Sequence, residues 1–174
     1  RADDFAMLFG DLAIGENPTP LHNQHLILRW DFSKVAVFEK VDEIVQRLYN
    51  VINEEIKGFE ERYRSLLPRA VEINPTDAVA SFNNLLGLVQ LAGHRLYLLI
   101  DEYDNFANDV MMARQEHYEA LLYGEGLLKT VFKAVKAGAS GRGIDRVFIT
   151  GVSPVVLSDM TSGYNVGENI YLEA

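Results

Sequence analysis

Apolar and polar positions fall into blocks along the chain, and the period of the pattern changes from block to block. Phe5, Leu8, Phe9 and Leu12 recur at helical spacing, and Gly15, Pro18 and Pro20 then stop the run, so this segment reads as the tail of a helix. From Leu26 to Phe32 the apolar residues are nearly continuous, interrupted by Arg29 and Asp31, as in a strand covered on both faces. A long stripe follows, with Ile44, Leu48, Ile52, Ile56, Phe59, Tyr63 and Leu66 on one side and charges around the rest. It predicts a helix ended by Pro68 that covers the sheet.

Asn74, Pro75, Thr76 and Asp77 carry the chemistry of a helix start, with Asn74 as cap and Pro75 in the first turn. Val79, Phe82, Leu85, Leu86 and Val89 give that helix its buried face, and Gly93 its stop. Leu96 to Ile100 is a short apolar run of strand length that ends abruptly in Asp101, Glu102, Tyr103 and Asp104. Glu116 to Ala137 reads as helix, kinked or split at Gly124 and Gly126, with Gly138 to Gly143 as a loop of small residues. Val147 to Ile149 is the third strand, and Thr150 to Ser153 follow it.

Strands alternating with helices predict βαβ units, hence a three-layer αβα fold around a mostly parallel sheet. In such sheets ligands sit beyond the carboxyl ends of the strands. The residues to weigh are therefore Asp31 to Ser33, Asp101 to Asp104 and Thr150 to Ser153.

Composition narrows the function. The 174 residues carry 16 Lys plus Arg against 25 Asp plus Glu, a net charge of −9. That balance disfavours direct nucleic-acid binding, which concentrates basic residues. Cysteine is absent, which excludes disulfides, thiolate nucleophiles and Cys-ligated metals. No window is long and apolar enough for a membrane helix, so a cytoplasmic protein with no membrane contact is the expectation. The chain opens on Arg1 rather than Met and stops shortly after Leu172, which suggests that sequence is missing at one or both ends.

An apolar strand running directly into Asp-Glu is the arrangement by which a nucleotide hydrolase brings one carboxylate to Mg²⁺ and a second to the attacking water. Asp101 at the strand tip can hold a hydrated Mg²⁺ through water. Glu102, on the opposite side by strand alternation, can polarise a water aimed at the γ-phosphate. Thr150 puts a hydroxyl at the tip of a neighbouring strand, where it can report nucleotide state. The plain alternative is that strands must end in polar loops and that Thr150 caps a turn beside Gly151.

The runs LYLLIDEYDNF (Leu96 to Phe106) and RVFITGVSPVVLSDMTSGYNVGENIYL (Arg146 to Leu172), with LRWDFS (Leu28 to Ser33) before them, resemble the AAA-ATPase-like family of P-loop NTPases. The resemblance implies Walker B acids at Asp101 and Glu102 and a polar sensor at Thr150. It implies ATP and Mg²⁺ as ligands, with Ser153, Ser162, Gly163 and Asn165 in a further characteristic segment. Tyr103 and Asp104 continue the Walker B run. Members often carry a C-terminal PD-(D/E)XK nuclease-like domain, and oligomeric members use arginine fingers. The phosphate-binding string G-x-x-x-x-G-K-[ST] occurs nowhere in these 174 residues. The expectation is a partial domain spanning residues 1–174, with that loop upstream, and a segment that alone binds ATP weakly or not at all. A degenerate member, serving as a regulatory or interaction module, is the alternative. The family pattern places the Leu96 to Ile100 strand between the other two and leaves the Val147 strand with an open edge or pairs it with another chain.

Other candidates are weaker. Gly138, Gly141 and Gly143 follow a helix and precede a strand, the reverse of a phosphate loop. Arg142 and Arg146 read as solvated charges before they read as fingers. His22 and His25 read as surface residues without a third metal ligand. His94 and His117 lack triad partners, and Asp101, Asp104 and Asp109 lack the pattern of a calcium loop.

Overall fold

A computed structural model of the chain describes residues 2–35, 40–104 and 126–151, together with Phe106, Asn108 and Val110. The part of the sequence-predicted helix from Glu116 to Ala137 that precedes Gly126 lies outside these residues, as do Asp109, His117, Ser153, Ser162, Gly163 and Asn165.

Two short N-terminal helices, α1 (Ala2–Phe9) and α2 (Ala13–Glu16), precede β1 (His25–Asp31). Phe32, assigned from its apolar character to the first strand, instead opens a single 3₁₀ turn, Phe32–Lys34. The reason is local: the Asp31 carboxylate accepts hydrogen bonds from the Ser33 amide (3.2 Å) and hydroxyl (2.6 Å), and this turn competes with strand pairing. Helix α3 (Val41–Tyr63) follows, then α4 (Ala78–Leu91), β2 (Arg95–Asp101), α5 (Leu127–Ala139) and β3 (Ile144–Ile149).

Helix α4 starts later than its sequence suggests. Asp77 caps it, accepting from the Ala80 amide at 3.0 Å, while Asn74 accepts from the Thr76 amide in the turn before it. Its end matches the expectation. Gly93 adopts φ +71°, its amide reaches the Gln90 carbonyl and the His94 amide reaches that of Val89, which satisfies the last turn.

The three strands run parallel in the order β1-β2-β3, with β2 central as expected. Among the described residues β3 pairs on one side only, which leaves the open edge foreseen for that strand. Leu26, Leu28 and Trp30 align with Leu96, Leu98 and Ile100, and all six are buried. Against this face stand α3, α4 and α5: Trp30, Ile52, Ala78, Phe82, Val131 and Ala134 close around one point, and Phe82 sets its ring edge on Trp30 at 4.7 Å. The arrangement of a parallel sheet carrying helical cover is the P-loop NTPase-like α/β class anticipated from the sequence.

On the other face, Ile27, Tyr97 and Leu99 are half-buried and Phe148 is exposed. His25 lies there too and is no surface histidine. Its side chain is 7% exposed, with Nε2 2.8 Å from the Asp145 carboxylate and its ring edge-on to Tyr97. His22 packs against the Phe5 ring.

Gly138 also departs from the sequence reading. It is buried inside α5 rather than in a loop, and a Cβ there would come within 2.5 Å of Ile144 Cδ1 and 2.9 Å of Leu86 Cδ1. The missing side chain lets α5 approach α4 and β3. Gly126, one of the two expected break points, is the N-cap residue from which α5 starts at Leu127.

Two glycines therefore respond oppositely to substitution. Gly138→Val should destabilise the fold by about 1–3 kcal/mol through overpacking. Gly87→Ala, on the exposed side of α4 with nothing within 4 Å, should stabilise it by about 0.5–1 kcal/mol. Urea unfolding of the two variants beside the parent checks both signs.

Candidate functional site

The site begins with strand register. Because β1 and β2 pair in parallel with Asp31 opposite Asp101, the two carboxylates reach the same rim. Ile149 pairs with Ile100, so Thr150 arrives beside Asp101 from the other side. The ladder is prolonged there: the Thr150 amide donates to the Ile100 carbonyl at 2.8 Å, and the Tyr103 amide to the Thr150 carbonyl at 3.4 Å.

A chain of polar contacts crosses the three strand ends. Thr150 Oγ1 donates to Asp101 Oδ1 at 2.5 Å, and Arg29 Nη2 donates to Asp101 Oδ2 at 2.6 Å. Arg29 lies two residues before Asp31, on the same side of β1, and its Nη2 is 3.8 Å from Asp31 Oδ2. Lys34 stands 3.9 Å from the same oxygen and is engaged at 2.7 Å by Glu55 of α3. The Thr150 hydroxyl first, and then the Arg29 guanidinium, hold the Asp101 carboxyl below its ordinary range, while the Asp101 contact raises Arg29. Asp101 is thus an ionised acceptor with about a third of its side chain exposed.

Glu102 does not continue the alternation of the strand. Its φ is +51°, a left-handed conformation that costs a residue with a Cβ roughly 1–2 kcal/mol. The extended chain ends at Asp101, and Glu102 is an exposed hinge residue before helical backbone resumes at Tyr103. Tyr103 and Asp104 are buried, and Gly151 lies against them. A Cβ on Gly151 would collide with the Tyr103 ring and lie 2.6 Å from Asp104 Oδ1. Burial pushes the Tyr103 hydroxyl up.

The described positions from the sequence reading thus divide. Asp101, Glu102, Tyr103, Asp104 and Thr150 converge at one rim. Arg142 and Arg146 are exposed, Arg146 lying 3.8 Å from Asp145 near the opposite end of β3. Arg29 is the residue that sequence reasoning passed over, while Gly151, weighed there only as part of the turn after the third strand, proves to pack closely on Tyr103 and Asp104. The signal for Arg29 was its two-residue spacing from Asp31, which puts both side chains on one side of a strand beside the acidic pair.

Among the described residues no three His, Cys, Asp or Glu side chains converge as a ready metal cage. Mg²⁺ does not need one, since it keeps most of its waters and accepts one or two carboxylates. An ionised, partly exposed Asp101 at the rim fits that role.

The chain belongs to the AAA-ATPase-like family: the family model, described as a predicted AAA-ATPase, matches residues 1–161. No curated protein matches the chain, and neither does any solved structure. Membership supports the P-loop NTPase-like fold and suggests ATP and Mg²⁺ as its ligands. Among the described residues no helix is long and apolar enough to cross a membrane.

Thr150→Val removes the first cause of the depressed Asp101 value, so that carboxyl should titrate higher, as followed by its ¹³C resonance against pH. Because the folded-state value lies below the unfolded one, the stabilisation by Asp101 is complete above the unfolded value. It fades as pH falls through the folded one. The variant should therefore lose less stability on acidification than the parent.

Proposed function

We propose that the protein binds and hydrolyses ATP as an AAA-like P-loop ATPase, with the described rim as its hydrolytic half. The observation that carries this reading is the alignment of Thr150, Asp101 and Glu102 at the carboxyl ends of two adjacent parallel strands. Mg²⁺, when bound with the nucleotide, would neutralise charge on the phosphates. Asp101, kept ionised, offers the acceptor that orients the hydrated ion. Glu102 supplies the base for the attacking water, and its left-handed backbone sets that carboxylate apart from the strand. Thr150, whose hydroxyl bonds Asp101, responds in this reading to the γ-phosphate, and Ser153 follows it as a further nucleotide contact.

The phosphate-binding loop belongs, in this reading, to sequence outside these 174 residues, and residues 1–174 form part of the domain. A homo-oligomer and a C-terminal nuclease-like domain are the partners that such an ATPase would drive, in the cytoplasm. A second reading has its own support. Both oxygens of Asp101 are already engaged by side chains, and no G-x-x-x-x-G-K-[ST] string is present, as in a scaffold that has given up nucleotide and serves regulation or protein contact.

Glu102→Gln separates the two. In the full-length protein it should abolish ATP turnover, by about 10²-fold or more, while sparing nucleotide binding. Retained turnover sinks the assignment of Glu102. Absence of saturable ATP binding in the unsubstituted protein, with Mg²⁺ present, favours the scaffold.

A further inference from the structure

Arg29 is placed between two acceptors. Its Nη2 bonds Asp101 Oδ2 at 2.6 Å and lies 3.8 Å from Asp31 Oδ2, so a movement of about 1 Å exchanges one carboxylate for the other. Asp31 is built to receive it. Its Oδ1 is held by the Ser33 amide and hydroxyl, which leaves Oδ2 directed toward the basic side chains, and Lys34 is anchored separately on Glu55. Arg29 has room to swing, with 56% of its side chain exposed, whereas Asp31 is only 17% exposed.

We propose that Arg29 is a positioning residue that occupies Asp101 when the cation is absent and transfers to Asp31 when a divalent cation takes Asp101. This deepens the ATPase reading and rests on it. A guanidinium and a hydrated Mg²⁺ both seek an ionised carboxylate, and they cannot share Oδ2 without bringing like charges together. The occupied state keeps Asp101 ionised and aimed across the strand ends. The cost of displacing Arg29 is small, because the pair is exposed and a second carboxylate waits beside it. The rim thus accepts the cation with an acceptor already set in place, and the released charge is retained within the site.

Two measurements on the full-length protein test this. The first is the Mg²⁺ dependence of binding of a fluorescent ATP analogue. Arg29→Gln removes the competitor, so half-saturation should move to about two- to fivefold lower Mg²⁺. The second follows the Arg29 guanidinium ¹⁵N resonances, assigned by their loss in Arg29→Gln. Saturating Mg²⁺ and analogue should shift them in the parent. In Asp101→Asn they should stand displaced before any ligand is added.

Nucleotide binding with an unchanged Mg²⁺ midpoint, or with unmoved Arg29 resonances, overturns the exchange and leaves the ATPase reading standing. A midpoint that shifts while the resonances stay put identifies a through-space field effect and likewise overturns the exchange. Absence of saturable analogue binding in both proteins overturns the ATPase reading and this inference together.

Discussion

Parallel register is the constraint on which the rest of this molecule depends. A parallel ladder brings chain ends of the same polarity to one side, and here Asp31 sits opposite Asp101 with Thr150 completing the row. The register is fixed by burial: Leu26, Leu28 and Trp30 face the same helices as Leu96, Leu98 and Ile100, and a slip of one residue between the strands would turn one of the two sets outward. The packing of the core and the geometry of the rim are therefore one fact seen at two ends of the same strands.

The rim departs from local ease where chemistry would require it. Glu102 holds a left-handed backbone without being glycine, and Gly151 leaves room for Tyr103 and Asp104 at close range. Such departures persist where the surroundings over-determine them. Here the surroundings are the buried Tyr103 and Asp104 on one side and the prolonged pairing at Thr150 on the other.

Much of this was legible in the sequence, because burial leaves a strong pattern. The continuous apolar run from Leu96 to Ile100 could only be a covered strand or a short piece of helix, and the acidic pair at its end marked the rim. The stripe from Ile44 to Phe59 likewise declared its helix. Short-range polar competition was harder to read. Phe32 looks like strand until Asp31 is seen to bind Ser33, and Asn74 looks like a cap until Asp77 takes that role. Long-range partners left no local trace at all. His25 meets Asp145 from 120 residues away, and Gly138 is small because Leu86 and Ile144 converge on it, not because the chain turns there. Arg29 was visible as a charge in a strand, but its partner across the sheet emerges only once the strands are paired.

The tight end of α4 has a mechanical corollary. Only Ala92, Gly93 and His94 separate that helix from β2, and the amides of all three are tied back to its final carbonyls. Little slack is left at this joint, so the end of α4 and the start of β2 are set against each other by a short, hydrogen-bonded connection rather than by a loose loop.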